Sequence, residues 1–412
     1  MVRDHGCFTE HGPRVYSSAY KTVESLLKNM NIDWNDIFTP YKFNMGAIGG
    51  RTWQSLHVSE LLALASAYVQ LAFGRDYSKT TMREFTRAWS RESIDYIERI
   101  CVLTDGQRAD TYPVAKFLQL VNQQMGLYKL YQPKAPNDEL LFTMWAQKLQ
   151  SRGVDIILNT ECNAVQEGQV TTTRGVLRAN TIILATPPRT LARLGLVSQE
   201  YAKKTSYIDY ITVNFEFTLP NGQTLPSTWG FPATAWGLAH IVVSDYWDKD
   251  HPLTISCGIT NVDAPDRNGK TARASDDQYV IASALEQLRE SYPTLPALTS
   301  AKIGSRIGQE SAFVGTDFIP FDLGRGVYNA GTQNGQAQYA YTSMETAVAN
   351  GAALANRFGC TDVKPVLAWT LNQAILIVIV LICIVCLGVY AFTLQLPMKP
   401  QQVPQQAAVA PA

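Results

Sequence analysis

Gly326-Val327-Tyr328-Asn329-Ala330-Gly331-Thr332-Gln333, followed shortly by Tyr341-Thr342-Ser343-Met344-Glu345-Thr346-Ala347-Val348-Ala349-Asn350-Gly351, is the stretch from which the fold is read. Gly326 to Ala330 is β-prone, Gly331 to Gln338 is polar and glycine-bearing, and Thr342 to Arg357 has helical spacing, so the order is strand, loop, helix. Thr342 and Glu345 have the spacing of a capping box, which predicts a clean helix start with its first amides pointing out. Small residues dominate the helix: Ala347, Ala349, Gly351, Ala352, Ala353 and Ala355. Such a unit brings the positive end of a helix against an electron-rich ligand. The same residues equally describe a helix packed closely on a sheet.

Working outward, Pro136 and Asn137 open a predicted helix through Leu140, Leu141, Met144, Trp145 and Leu149, with Gly153 as its stop. Val154 to Thr160 (VDIILNT) reads as a strand, Cys162 to Gln166 and Gln169 to Thr173 as a hairpin, and Arg178 to Ala185 as a further strand. Its apolar TIILA run, closed by Thr186-Pro187-Pro188, suits a central parallel strand ending at a ligand crevice. Ile211 to Phe217, Ala239 to Ser244 and Thr254 to Ile259 alternate as an antiparallel sheet with one face covered would, and a helix is expected over Asp276 to Ser291. Nearer the start, helices are expected within Val15 to Met30, Val58 to Phe73, Ile94 to Leu103 and Ala115 to Met125. No internal repeat is present.

A chain of 412 residues exceeds one ordinary domain, so two lobes are expected. Lys plus Arg (35) balance Asp plus Glu (35), so a cationic face for nucleic acid is not expected. Seven scattered cysteines form no disulfide framework, and the Cys383-x-x-Cys386 pair lies in an apolar run with no partner for a metal or redox site. That run, Ala374 to Leu394, is free of charge and long enough to cross a bilayer, with Trp369 and Tyr390 as interfacial anchors. Arg357 and Lys364 before it, against Lys399 after it, place the main body on the cytoplasmic side. Met1 to Tyr20 has no apolar signal core, so insertion as a single-pass C-terminal tail anchor is expected.

The segments Ala330 to Gln333 and Tyr341 to Gly351 closely resemble the C-terminal flavin motif of the amine oxidase, phytoene desaturase and protoporphyrinogen oxidase superfamily. The resemblance implies FAD as cofactor, with Gly331, Thr332 and Gln333 lining the ribityl chain and the Ser343 and Met344 amides facing the ring carbonyl. Gln333 stands where the family usually has an acid. Glu10-His11-Gly12-Pro13-Arg14 is similar to the segment that passes the isoalloxazine, which implies roles for Gly12, Pro13 and Arg14. The run from Gly153 through Val165 to Ala185, Thr186, Pro187 and Pro188 is similar to the strands flanking the adenine and then the flavin.

The family opens with a strand, a G-x-G-x-x-G turn and a helix, because backbone must approach the pyrophosphate. Nothing before Glu10 does this, and Gly46-Ala47-Ile48-Gly49-Gly50-Arg51 follows no apolar strand, so it is read as a loop. Three explanations stay open: a misplaced gene start, a separate chain supplying the βαβ unit, or loss of FAD. The expected fold is α/β with an α+β substrate lobe: an incomplete Rossmann-like FAD domain over 1–40, 137–190 and 311–360. A helical substrate part over 41–136, an antiparallel-sheet part over 191–310, and a transmembrane anchor with a short tail over 361–412 complete it.

Family amine oxidases hold a lysine near the flavin from the substrate-domain sheet. ITVNFEF has none, which points toward dehydrogenation or isomerisation of an apolar substrate. No catalytic residue is assigned. His11 is an acid or base candidate or a turn histidine; His57, His240 and His251 lack ligand spacing, and Trp229 and Trp236 read as packing residues. The implied function is a FAD-dependent oxidoreductase (dehydrogenase, desaturase or amine-oxidase-like) acting on a lipophilic small molecule at a membrane. The alternative is a degenerate, non-catalytic flavoprotein fold serving as a membrane-anchored scaffold.

Overall fold

The computed structural model describes residues 2–4, 7–9, 14–41, 56–105, 108–125, 128–203, 205–207, 210–218, 234–248, 251–306, 313–315, 319–332, 334 and 343–395. The chain divides into two units, Met1–Ala368 and Trp369–Ala412. The first mixes helices and sheets. The second is built on one helix, Leu371–Gln395, long and apolar enough to cross a membrane.

Within the first unit, the strands Leu238–Val242, Leu253–Ile259, Ile211–Phe217 and Leu298–Ser305 form an antiparallel sheet in that order. One face carries Ile211, Val213, Phe215 and Phe217, covered by Val280, Ala284 and Leu288 of the helix Asp277–Ser291. Asp276 caps that helix by accepting from the Tyr279 amide (2.8 Å). The sequence pattern implies one covered face, but Thr212, Asn214, Glu216, Thr254 and Ser256 on the opposite face are buried too. Their alternation reports polarity, and polar side chains stay inside when hydrogen-bonded, as Thr212 is to Ser305 (3.1 Å) and Glu216 to Ser300 (2.8 Å).

The helical block comprises Val58–Ala72, Met82–Thr86, Arg91–Asp105 and Val114–Leu120, the last continuing as a π turn over Val121–Met125. It packs around Leu56, Tyr77, Met82, Ile97, Tyr112 and Phe117. Leu141–Ser151 is helical and ends near Gly153, whose φ of +83° favours glycine. The hairpin Cys162–Gln166 with Gln169–Thr172 forms as expected and gains a third strand, Gly175–Arg178. The expected strand over Val154 to Thr160 does not form: no ladder partner is found among the described residues, and Leu158 is 70% exposed. Residues of high β propensity still need a neighbour to become a strand.

The capped helix forms over Met344–Arg357, but its cap differs from the expected box. Ser343, not Thr342, is the N-cap, its Oγ accepting from the Thr346 amide (3.0 Å). Glu345 instead reaches the helix Lys21–Asn29: Oε1 accepts from the Thr22 amide (2.8 Å) and Oε2 from the Val23 amide (3.0 Å). Tyr20 is the local N-cap of that helix and offers no side-chain acceptor, so the distant carboxylate supplies the cap.

Glu345 is fully buried, and burial pushes its carboxyl above the ordinary carboxylate value, the amide donors pulling back only in part. With a raised folded value, its proton-linked stability is fully present below the unfolded value of 4.5 and is lost as pH rises through the folded value. Glu345→Ala strands two amides, at about 1–3 kcal/mol each, and should lower the melting temperature at every pH. Glu345→Gln should keep one amide bond and abolish the loss of stability on raising pH through that window, as thermal melts across about pH 4 to 8 would register.

Candidate functional site

Two strands of distant sequence lie side by side: Ile182–Leu184 runs parallel to Val327–Asn329, with Ile182 opposite Val327 and Leu184 opposite Asn329. The Ala330 amide extends the ladder to the Leu184 carbonyl (2.8 Å). Ala185, Thr186 and Pro187 therefore leave from the same carboxyl end as Gly331, the end at which open α/β sheets place ligands. Pro187 then caps the helix Pro188–Arg193.

Gly331 sits where no side chain fits: a Cβ there would meet the Thr186 carbonyl oxygen at 2.9 Å and Asn329 Oδ1 at 3.0 Å. Its amide donates to Asn329 Oδ1 (2.8 Å), and its carbonyl accepts from Asn350 Nδ2 (2.9 Å) in the Met344–Arg357 helix. Asn334 Nδ2 donates to the Asn329 carbonyl (3.0 Å). The loop is thereby tied to strand and helix at once. Around it, Thr186 Oγ1, Asn329 Nδ2 and Asn350 Oδ1 are buried side-chain atoms without a hydrogen-bond partner among the described residues. Buried polar atoms are normally paired. A hydroxyl, an amide donor and an amide acceptor left unpaired on three residues that adjoin Gly331 have the chemistry to bind a polyol, which the ribityl chain of FAD is.

Val165 is buried in one cluster with Ile182, Leu184 and Val327. Thr332 is half-buried beside Gly331, while Ala185 is exposed. Met344, at the helix tip, packs with Tyr16, Tyr20, Val23 and Leu27. Asn350 lies six positions after Met344, so the tip stands about 9 Å along the axis from the grip on Gly331. Arg14 is exposed; its carbonyl accepts from Gln132 Nε2 (2.6 Å), and its charge acts on Tyr20, whose hydroxyl burial pushes upward. Gly12, Pro13, Gln333, His11, Trp229 and the Gly46–Arg51 loop lie outside the described residues.

Sequence reasoning missed Asn329, Asn334 and Asn350. Asn350 carried a signal: a poor helix former in an alanine-rich turn has some reason other than propensity to be there. The strand Ile211–Phe217 has no lysine, yet its neighbour sets Lys302 directly opposite Asn214. His240 is buried in the apolar face of the sheet, 2.8 Å from the Tyr292 hydroxyl, and burial lowers its pKa to about 4. It is neutral at ordinary pH. His251 packs edge-on against Trp247, His57 precedes the Val58–Ala72 helix, and Trp236 is a fully buried core residue. A cleft of about 530 Å³ lined by Arg83, Arg91, Arg99 and Arg108 together with Asp95 and Glu98 contains none of the predicted residues.

No family model matches the sequence, and no curated protein matches it. Solved structures do. Putrescine oxidase with putrescine bound superposes with a TM-score of 0.62 at 14% identity, over 87% of this chain and 89% of that one. The fold is that of the amine oxidase-like flavoenzymes. A CLA-producing fatty acid isomerase from P. acnes gives 0.54 at 12% identity over 86% and 88% of the two chains. An oxidoreductase from Methanosarcina mazei gives 0.54 at 13% identity over 73% of each. At these identities the likeness is one of fold.

Two substitutions separate scaffold from ligand roles around Gly331. Thr186→Val removes a hydroxyl that no described residue satisfies, so the melting temperature should hold or rise, while FAD affinity measured by fluorescence titration should fall about tenfold. Gly331→Ala, by contrast, forces a methyl against backbone and should cost more than about 1 kcal/mol of stability in denaturant unfolding.

Proposed function

We propose that this protein is a FAD-dependent oxidoreductase, of dehydrogenase, desaturase or amine-oxidase-like type, acting on a lipophilic small molecule at a membrane. The observation that carries the proposal is the group of buried, unsatisfied polar atoms around Gly331 at the shared end of two parallel strands. Gly331, Thr332 and Gln333, with Thr186 and Asn350, would hold the ribityl chain. The Ser343 and Met344 amides would face the ring carbonyl, and Val165, Ala185 and Pro187 would line the approach, with Gly12, Pro13 and Arg14 beside the ring. FAD, when bound, supplies the acceptance of a hydride equivalent. The helix tip lowers the energy of negative charge beside it, because its first amides have no partner within the helix.

The same reading includes an incomplete dinucleotide fold. Among the described residues the strand Ile182–Leu184 is a sheet edge, and Ile183 is 50% exposed. Val154, Ile156, Ile157 and Leu158 present apolar side chains to water on a segment outside any helix or strand. Parallel strands are ordinarily covered on both faces, and open apolar edges invite pairing. A parallel neighbour arrives with its own crossover helix. A strand–turn–helix unit, from a separate chain or a further segment of the same polypeptide, would add here and carry the pyrophosphate turn. The charge-free helix Leu371–Gln395 would anchor the chain, with the body on the cytoplasmic side.

The absorption spectrum of purified, folded protein tests this. The chain expressed with its preceding coding sequence, or with a co-purifying βαβ-bearing partner, should carry bound flavin. Colourless protein in every arm would overturn the proposal in favour of a non-catalytic, membrane-anchored scaffold.

A further inference from the structure

The helix Val58–Ala72 is apolar on both sides. Its inner side is accounted for: Leu61, Leu64, Ala67, Tyr68 and Leu71 pack into the helical block. The outer side is not. Val58, Leu62, Val69 and the following Phe73 are 72%, 64%, 51% and 88% exposed, and Ala65 and Ala72 are exposed between them. Spacings of four and three residues put these on one stripe, about 22 Å long at the rise of an α-helix. Surface helices normally show charge outward, and a continuous apolar stripe marks an interaction surface.

The orientation is enforced. Glu60 is the one charged residue from Val58 to Phe73, and it points inward. Its carboxylate accepts from the Ser93 hydroxyl (2.7 Å), the His57 amide (2.6 Å) and the Ser90 amide (3.2 Å). The helix thus buries its single acid and turns its valines, leucine and phenylalanine to solvent. Burying a carboxylate costs free energy that those three donors offset only in this rotation.

We propose that the stripe Val58–Phe73 lies in the headgroup and acyl boundary of a lipid bilayer, as an interfacial helix. This inference rests on the membrane part of the proposed function and adds a contact to it. Two observations favour lipid over a second copy of the chain. The stripe is a ridge one side chain wide, ending in a protruding Phe73, which a fluid surface accommodates without a matching groove. The same chain also carries the charge-free Leu371–Gln395 helix, long and apolar enough to cross a membrane.

The test uses the full chain in phosphatidylcholine–phosphatidylserine vesicles doped with a photoactivatable diazirine acyl chain, the labelled residues being mapped by mass spectrometry. Label in both Val58–Phe73 and Leu371–Gln395 is expected. Label in Val58–Phe73 alone supports the interfacial helix and removes the anchor. Label confined to Leu371–Gln395 overturns the inference and leaves the anchor standing, whereas label in neither overturns both. Crosslinks from Val58–Phe73 to another copy of the chain would also overturn it. Leu62→Glu with Val69→Glu, at exposed positions, should cut label in the stripe about tenfold with labelling of Leu371–Gln395 unchanged.

Discussion

The site depends on one buried carboxylate. Glu345 accepts the Thr22 and Val23 amides, so one side chain in the first turn of the Met344–Arg357 helix caps a helix more than three hundred residues earlier in sequence. Two helix N-termini are thereby held against each other, with Met344 packed on Tyr20 and Val23. The arrangement fixes the height of the Met344 tip while Asn350, further along the same helix, fixes the Gly331 loop. With those two constraints the helix cannot slide relative to the strands Ile182–Leu184 and Val327–Asn329. Any ligand held at Gly331 then meets the tip at a set distance.

The elements were largely legible in the sequence, because they follow from local pattern. The order strand, glycine loop, capped helix is visible in Gly326 to Gly351, and the structure forms Val327–Asn329 and Met344–Arg357 in that order. Non-local facts were illegible. Thr342 and Glu345 have the spacing of a local cap, but spacing does not say which amides a carboxylate reaches. Val154 to Thr160 has strand composition, yet a ladder depends on a neighbour that composition cannot name. Likewise the alternation of Ile211 to Phe217 separates apolar from polar residues but does not reveal that both faces are buried. The polar lacing of the loop by Asn329, Asn334 and Asn350 was missed for a related reason: single asparagines in strand and helix look like weak choices until their partners are seen.

Two kinds of incompleteness mark the molecule, and both point outward. Around Gly331 polar atoms are buried without partners, a condition a polar ligand resolves. Along Val154, Ile156, Ile157, Leu158 and Ile183, apolar side chains are exposed, and among the described residues Ile182–Leu184 is a sheet edge, a condition the proposed strand and helix would resolve. Both would follow from the proposed reading, in which a chain with the fold of the amine oxidase-like flavoenzymes would hold part of a FAD site.

The measurement that bears most directly on the central claim is hydrogen–deuterium exchange of the full chain with and without saturating FAD. The account predicts slowed exchange in three separate stretches at once: the amides following Leu184, those around Gly331, and the first turn after Ser343. Unchanged exchange in all three stretches, or protection confined to places outside them such as the arginine-lined cleft at Arg83 and Arg108, would contradict it.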